Sequence, residues 1–424
     1  MPDKANQESR KPTLLLYGSS EGTGQGNGTG FGNVISHLIP LLAANFNVVH
    51  VATDDEEIVA PRRVYTIPAS IYRRSGGDPF GREVLQKAIS VHNPDVLFFV
   101  QDIYVFSSWP LFEAITKKIP SVVYFPTDCT PRKEWLTCLN SVTLPVVYSQ
   151  YGYNKVSEGM PSIKDRLSIL PHGVATDEFF PVDKNSIQVA QMRKVHNIPA
   201  VKKVITFVGR NQRRKNLGQL LVMFRDLKKE HSDYVLYLHT AVDEAKFGHG
   251  WNLKNACESL NLKVGEDVFF PRVDFEQGNG KYDVKTMNLV YAMSDVMVSV
   301  SLGEGWGLMS TESFATKRPF ICPDNSVNTE LCQNGKYGIN IPIREDRIIY
   351  ADNDVIRGEA DPVLFKQAIV DVLENPSKYS DMLENAYNRA KGEFNWVNIL
   401  PNWLKLLKRA QKEFKPSGLF VETI

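Results

Sequence analysis

Short apolar runs rich in β-branched residues alternate with helical segments along most of the chain, and this alternation passes through two cycles. The first cycle opens at residues 13–17 (TLLLY) and the second at residues 203–208 (KVITFV). Runs of this kind are typical of strands buried on both faces, so they predict parallel sheets covered by helices. With 424 residues the chain can form two such units. We therefore predict an α/β protein with two Rossmann-like domains whose parallel sheets face each other across a cleft.

The predicted domain boundaries follow the two cycles. Residues 1–12 are polar and are expected to be a disordered tail, residues 13–181 form the N-terminal domain, and residues 182–396 form the C-terminal domain. Residues 397–424 contain an amphipathic helix that we expect to cross back to the N-terminal domain. Residues 340–361 are charged and are predicted to form an irregular surface loop.

Composition excludes several classes of function. The chain is 43% hydrophobic and 23% charged with a formal net charge of +1, which gives no reason to expect nucleic-acid binding. No apolar run reaches the roughly 18 residues of a membrane span, and the N-terminus does not resemble a signal peptide. We predict a cytoplasmic protein without a transmembrane segment, and we leave peripheral membrane association open.

Metal ligands are not grouped in the sequence. The five cysteines form no C-x-x-C pair, and the eight histidines show no metal-ligand spacing. Residues 352–354 form a D-x-D pattern in a polar stretch, which we interpret as part of the surface loop. We therefore predict no metal and no cofactor.

A Gly-rich turn between a strand and a helix lies in residues 299–323 (SVSLGEGWGLMSTESFATKRPFICP). A helix that starts at the carboxyl end of a strand is suited to bind phosphate through its free N–H groups. Glu304 lies in the turn and Glu312 lies about two helical turns later. Carboxylates beside a phosphate site suggest a ligand that also carries hydroxyl groups, such as a sugar. Spacing alone leaves open a plain strand–loop–helix with Glu312 on a solvated face.

A basic loop follows the first strand of the second cycle, at residues 208–217 (VGRNQRRKNL). Such a run often covers a solvated surface, but this one stands where a strand leads into a helix. Arginine offers paired donors and lysine a point charge, and both suit a diphosphate. We therefore predict phosphate binding by this loop. Its basic residues are Arg210, Arg213, Arg214 and Lys215.

Three motifs in order resemble those of the retaining GT-B glycosyltransferases, specifically the family 4 group with its E-x7-E motif. They are LPHGVATDEFFP (170–181), FVGRNQRRKNL (207–217) and SLGEGWGLMSTESFA (301–315). Glu304 and Glu312 have the eight-residue step of that motif. The resemblance covers nearly the whole chain and is strongest over residues 170–323.

The resemblance implies a metal-independent retaining transfer of a hexose-type sugar from a nucleotide-diphosphate sugar to an acceptor hydroxyl. Arg210 and Lys215 match the phosphate pair of the family and would stabilise the leaving diphosphate. Glu304 would contact the donor sugar, and Glu312 would accept hydrogen bonds from the ribose hydroxyls.

Further donor contacts follow from the same resemblance. Leu308 and Met309 would offer backbone N–H groups to the phosphates, next to Gly307, which lets the ligand approach. The base would lie near Arg272 and Val273.

The N-terminal domain departs from the family pattern in one loop. The end of the Gly-rich run, at residues 28–34, resembles the family loop that approaches the donor, with Gly30 as the closest contact. Many members carry a histidine after the strand at residues 121–125, whereas this chain has Asp128 as the nearest polar residue there. We therefore assign the catalytic contact of this domain to Asp128. Asp102 follows another strand and either faces the acceptor or caps a turn.

Two alternative functions remain open at this point. One is an epimerase or phosphorylase on the same fold, and the other is a non-catalytic protein that binds nucleotide sugars or glycans. A Rossmann dehydrogenase is disfavoured because its glycine fingerprint is missing. The acceptor is left as a glycan, a lipid-linked molecule or a small molecule.

Overall fold

The computed structural model describes residues 11–20, 30–53, 64–68, 80–245, 250–272 and 282–416. Within these residues the first domain has a seven-stranded parallel sheet in the order β3-β2-β1-β4-β5-β6-β7. Its strands are β1 Thr13–Gly18, β2 Asn47–Ala52, β3 Tyr65–Pro68, β4 Val96–Val100, β5 Ser121–Phe125, β6 Leu144–Val147 and β7 Ser168–Ile169. Its helices are α1 Gly30–Asn45, α2 Arg82–His92, α3 Tyr104–Ser107, α4 Leu111–Thr116, α5 Lys133–Leu136 and α6 Gln150–Gly159.

The second domain repeats this architecture with a parallel sheet in the order β10-β9-β8-β11-β12-β13. Its strands are β8 Lys203–Val208, β9 Tyr234–His239, β10 Val268–Phe269, β11 Val296–Val298, β12 Phe320–Pro323 and β13 Ile339–Ile341. Its helices are α7 Ile187–Val195, α8 Leu217–Glu230, α9 Leu253–Ser259, α10 Val284–Met293, α11 Leu308–Ala315, α12 Ser326–Cys332, α13 Pro362–Glu374 and α14 Ser380–Gly392.

The apolar runs that opened each cycle form central strands. Every residue of β1 is buried, because helices cover both faces of the sheet. β8 pairs in parallel with β9 and β11, and its middle residues are buried in the same way. The two sheets thus place loops from both domains at their carboxyl edges.

The prediction of an irregular surface loop at residues 340–361 is wrong, because this stretch forms an antiparallel hairpin. β14 (Ile343–Ala351) pairs with β15 (Val355–Ala360), and Asp352–Asp354 makes the turn. Asn353 and Asp354 adopt φ values of 62° and 57°, a left-handed conformation that asparagine and aspartate tolerate in tight turns. Exposure does not follow residue type here: Ile348, Tyr350 and Ile356 are exposed, whereas Arg357 is buried.

The last helix, α15 (Trp396–Glu413), packs on the first domain. Trp403 is fully buried, and its ring centroid lies 5.1 Å from that of Phe98 in β4. The Trp396 ring stacks on His37 of α1 at a centroid distance of 5.0 Å. This helix therefore ties the end of the second domain to the core of the first.

The segment at residues 170–181 joins the domains and serves a structural purpose. Burial lowers the pKa of His172 to about 3, so its ring is neutral, and Nδ1 lies 2.6 Å from the hydroxyl oxygen of Tyr124. A Cβ atom added to Gly173 would lie 2.2 Å from the Trp396 ring, so only glycine fits there.

Candidate functional site

The loops of the two domains touch at Gly303 and Gly305. A Cβ atom added to Gly303 would lie 2.2 Å from the backbone oxygen of Asp128, and one added to Gly305 would lie 2.6 Å from Cβ of Pro126. The glycines are required because any larger residue would separate the loops. Glu304, which lies between them, is thereby placed against the first domain.

Two helices from different domains begin close to each other. α11 begins at Leu308 after Gly307, whose φ of 80° is readily adopted by glycine. α1 begins at Gly30, and a Cβ atom added there would lie 3.7 Å from Cδ1 of Leu308. The first N–H groups of a helix have no partner within it and carry partial positive charge. The space beside this contact is therefore suited to an anion such as a diphosphate.

Lys215 and Glu304 form an ion pair in this structure. Nζ of Lys215 lies 2.5 Å from Oε1 of Glu304, and Nη1 of Arg214 lies 3.3 Å from Oε2. Glu304 is only 7% exposed. Burial alone would raise its pKa, but Lys215 and Arg214 outweigh that effect and hold the pKa at about 2. Burial also lowers the pKa of Lys215, although Glu304 opposes the change.

Asp128 extends this ion pair into a network across both domains. Nε of Arg214 lies 3.1 Å from Oδ2 of Asp128, and Nη2 of Arg357 lies 3.3 Å from the same oxygen. Burial opposes the charge on Arg214, yet Glu304 and Asp128 raise its pKa above the usual value. With Lys215, the network has three cations and two carboxylates, a net charge of one positive that favours an anionic ligand.

Arg210 and Met309 differ in how open they are to a ligand. Arg210 is exposed, and no described residue forms an ion pair with its guanidinium group. Met309 is 9% exposed, and its sulfur accepts a hydrogen bond of 3.2 Å from the backbone N–H of Val208. Met309 therefore anchors α11 to the end of β8, while Arg210 can reach outward.

Glu312 does not lie on a solvated face. It is half-buried on α11, and the hydroxyl of Tyr291 donates a hydrogen bond to its carboxyl group. Burial raises the pKa of Glu312 to about 7, against the effect of that hydrogen bond. It stands one turn beyond Leu308, close to the helix start.

Asp102 lies near the ion-pair network of Asp128 and Arg214. Burial raises its pKa to about 7, the charge of Asp128 adds to this, and Arg214 opposes it. No described residue hydrogen-bonds the carboxyl group of Asp102, and no side chain caps α3. The capping role that the sequence left open for Asp102 is therefore not seen in the described part of the chain.

The predicted base contacts are only partly described. Arg272 is exposed just after β10. Val273 lies outside the described residues.

Sequence reasoning missed Arg357, since it lies in the stretch that we predicted as a loop. Its side chain is 2% exposed, and it reaches Asp128, which is 229 residues away in the chain. The β-branched and aromatic residues of IREDRIIYA and VIRGEA, on either side of the turn residues D-N-D, are typical of a hairpin and could have revealed the strand.

Residues 188–389 match the family model described as "Glycosyl transferases group 1". The match confirms the predicted glycosyltransferase domain over these residues, while the finer assignment to the E-x7-E group stays a prediction. A probable sucrose-phosphate synthase of Thermosipho melanesiensis is 23% identical over 263 residues, which cover 61% of this chain and 51% of that protein. The chain thus spans about half the length of this relative.

Solved structures confirm the predicted GT-B fold. Sucrose-phosphate synthase from Thermosynechococcus elongatus has a TM-score of 0.71 at 16% identity, covering 94% of this chain and 98% of that one. Anabaena Alr3699/HepE in complex with UDP-glucose has a TM-score of 0.69 at 14% identity, covering 94% of this chain and 100% of that one. At these identities the likeness shows the fold alone.

The described residues contain neither a membrane-spanning helix nor a cluster of metal ligands. None of their helices is long and apolar enough to cross a membrane. No group of three or more His, Cys, Asp or Glu side chains among them could hold a metal ion. Metal independence stays a prediction.

Proposed function

We propose that the protein is a retaining glycosyltransferase that moves a hexose-type sugar from a nucleotide-diphosphate sugar to an acceptor hydroxyl. The observation that carries this proposal is the meeting of two helix N-termini, at Gly30 and Leu308, beside the Lys215–Glu304 pair. Partial positive charge and a fixed cation suit the diphosphate, and the adjacent carboxylate suits sugar hydroxyls.

Each predicted residue has a role in this proposal. The exposed guanidinium group of Arg210 would close on the diphosphate, and Lys215 would bind it while still donating to Glu304, because an ammonium group has three donors. Glu304 would then accept from the sugar, held in place by Arg214. Glu312 would accept from the ribose.

The remaining contacts are placed around the same ligand. The backbone N–H groups of Leu308 and Met309 would bind the phosphates, and Gly307 just before them would let the ligand approach. The base would lie near Arg272 and Val273. The first domain would form the opposite wall of the cleft, and Asp128 would lie on the side of the sugar.

Transfer would proceed on one face of the sugar. The bond from the anomeric carbon to the diphosphate oxygen breaks as the bond to the acceptor oxygen forms, and the leaving diphosphate takes the acceptor proton. The net positive charge of the network around Arg214 would stabilise the charge that develops on the diphosphate. No protein nucleophile is required, so trapping of a covalent glycosyl-enzyme would contradict this step.

The donor can be identified by a thermal-shift screen of UDP, GDP and ADP and their sugars. UDP-glucose is the first candidate, since Alr3699/HepE is solved in complex with it. Specific binding should raise the melting temperature in a concentration-dependent way. Turnover should then give a product with the donor's anomeric configuration by NMR, and it should persist in EDTA if no metal is needed.

The same assay separates the alternatives. Conversion of the donor without an acceptor would indicate an epimerase, and a requirement for inorganic phosphate would indicate a phosphorylase. Specific binding without turnover on any acceptor would indicate a non-catalytic binding protein.

A further inference from the structure

Three aromatic rings form a row at the carboxyl edge of the first sheet. The ring centroid of Tyr104 lies 6.4 Å from that of Phe80 and 6.2 Å from that of Trp135. Tyr104, in the middle, is 42% exposed, whereas its two neighbours are partly buried against the core. Tyr104 therefore presents an aromatic surface to ligands, supported on both sides.

Each outer ring is approached by an arginine. The guanidinium carbon of Arg82 lies 5.6 Å from the Phe80 centroid, and that of Arg132 lies 5.8 Å from the Trp135 centroid. The central ring of Tyr104 has no such cation over it among the described residues. The surface left for a ligand is thus a single aromatic ring.

Asp102 stands beside this ring. Tyr104 lies two residues after Asp102 at the start of α3, where the backbone oxygen of Asp102 accepts a hydrogen bond of 3.2 Å from the N–H of Val105. Burial and then the charge of Asp102 raise the pKa of Tyr104 to about 12. The carboxyl group of Asp102 is half-buried and is not hydrogen-bonded by any described residue. The loop of Asp102 lies beside the loop of Asp128, because β4 pairs with β5 and the N–H of Gln101 donates to the backbone oxygen of Tyr124 at 3.3 Å. Asp102 therefore borders the donor site.

An apolar ring face next to an unpaired carboxyl group matches the chemistry of a sugar. The C–H face of a pyranose or furanose packs on an aromatic ring, and the hydroxyl groups at its edge donate to a carboxylate. We infer that Tyr104 and Asp102 form the acceptor site and that the acceptor is a saccharide, stacked on Tyr104 with a hydroxyl on Asp102. This inference rests on the proposed function, because it identifies the class of acceptor for the same cleft.

At the Trp135 end of the row the charge is balanced, which favours an uncharged saccharide there. Nη1 of Arg132 lies 2.8 Å from Oδ2 of Asp354 at the hairpin turn, and Arg132 also pairs with Glu134. Its charge is therefore balanced by two carboxylates. The lipid portion of a lipid-linked acceptor would instead need a continuous apolar surface, and the charged groups at both ends of the row interrupt one.

Saccharide binding can be measured without turnover. Saturation-transfer NMR with unlabelled hexoses and disaccharides, in the presence of the nucleoside diphosphate that binds best, should detect a ligand. Tyr104→Ala should weaken its binding at least tenfold, and Tyr104→Phe should keep most of the affinity because the ring remains. Tyr65→Ala is the matched control, since Tyr65 is a 62% exposed tyrosine on β3 of the same domain.

The outcomes separate this inference from the proposed function. Absence of saccharide binding, or binding that Tyr104→Ala leaves unchanged, overturns the inference. Productive transfer to a non-saccharide acceptor alone also overturns it. Saccharide binding at Tyr104 by a protein that binds no nucleotide sugar supports the site and overturns the proposed transferase.

Discussion

The guanidinium group of Arg357 holds Asp128 from across the interdomain cleft. Nη2 lies 3.3 Å from Oδ2 of Asp128, and Nη1 donates to the backbone oxygen of the same residue at 3.3 Å. Arg357 belongs to β15 of the hairpin in the second domain, and Asp128 follows β5 of the first. This pair therefore links the hairpin directly to the loop that we assign to catalysis.

Arg357→Ala should destabilise the protein. It removes charged hydrogen bonds, each with a contribution of about 1.5–3 kcal/mol, and among the described residues it leaves Asp128 in an ion pair with Arg214 alone. Arg357→Lys should be intermediate, since it keeps the charge but loses the planar fork. Thermal melting should show a clear drop relative to Arg344→Ala, which alters an arginine on the same hairpin paired with Asp346. Equal melting temperatures for both alanine variants would contradict the link.

Lys215→Ala should weaken binding of the nucleoside diphosphate by about 10- to 100-fold, because charged hydrogen bonds are worth about 1.5–3 kcal/mol. Isothermal titration calorimetry measures this directly. Lys229→Ala provides the control, since Lys229 is an exposed lysine on α8 paired with Asp226. An unchanged affinity for Lys215→Ala would refute the phosphate assignment.

Glu304→Gln should reduce turnover far more than binding of the free nucleoside diphosphate. The substitution leaves Lys215 and Arg214 without their shared carboxylate, so the positive charge facing the phosphates increases and affinity for the free diphosphate should hold or improve. The hydrogen bonds from the sugar to residue 304, in contrast, become weaker in the transition state, so turnover falls. Steady-state kinetics and calorimetry on the same samples test this. Equal losses in both would mean that Glu304 does not contact the sugar.

Glu312 should make stability fall as pH rises from about 4.5 to about 7. Its pKa is raised from 4.5 to about 7 in the folded protein, so the unfolded chain ionises first. Over this window Glu312→Gln should gain melting temperature relative to the wild type, and the gain should level off above pH 7. The resulting loss in the free energy of unfolding is a few kcal/mol at most, at about 1.4 kcal/mol per pKa unit.

Asp102→Asn serves as a comparison for that experiment. The pKa of Asp102 is also raised to about 7, from 3.8, so this variant should show a similar gain that begins at lower pH. A difference between Glu312→Gln and wild type that stays constant with pH would rule out the raised pKa of Glu312.

Gly303→Ala should reduce transfer at least tenfold, because the new Cβ atom would meet the backbone oxygen of Asp128 at 2.2 Å and separate the loops. Misplacement by about 1 Å can cost roughly 100-fold in rate. Gly218→Ala is the matched control: its Cβ atom would meet nothing within 4 Å, and alanine favours helix α8 by up to about 1 kcal/mol. Similar rates for the two variants would show that the loop contact is dispensable.

Patterns that depend on near neighbours were predicted well from the sequence. The apolar runs predicted the buried strands, and the glycines before Leu308 and the basic residues after Val208 were predicted to lie where strands end. Residues 340–361 were misjudged because their charges drew more weight than the β-branched residues on either side of the D-N-D turn. A half-solvated hairpin has fewer apolar residues than a central strand, so its pattern is weaker.

The amino-acid sequence by itself determined the two parallel sheets and the loops that carry Arg210, Glu304 and Glu312, because strand and helix periodicity and turn glycines act over short distances. Only the tertiary structure decided which side chains meet. It paired Lys215 with Glu304, brought Arg357 to Asp128 and set Tyr104 between Phe80 and Trp135. The Arg357–Asp128 contact depends on how the two domains pack, and the other contacts depend on which loops of one domain meet. The energy of a buried ion pair or an aromatic row depends on distance in space rather than separation along the chain.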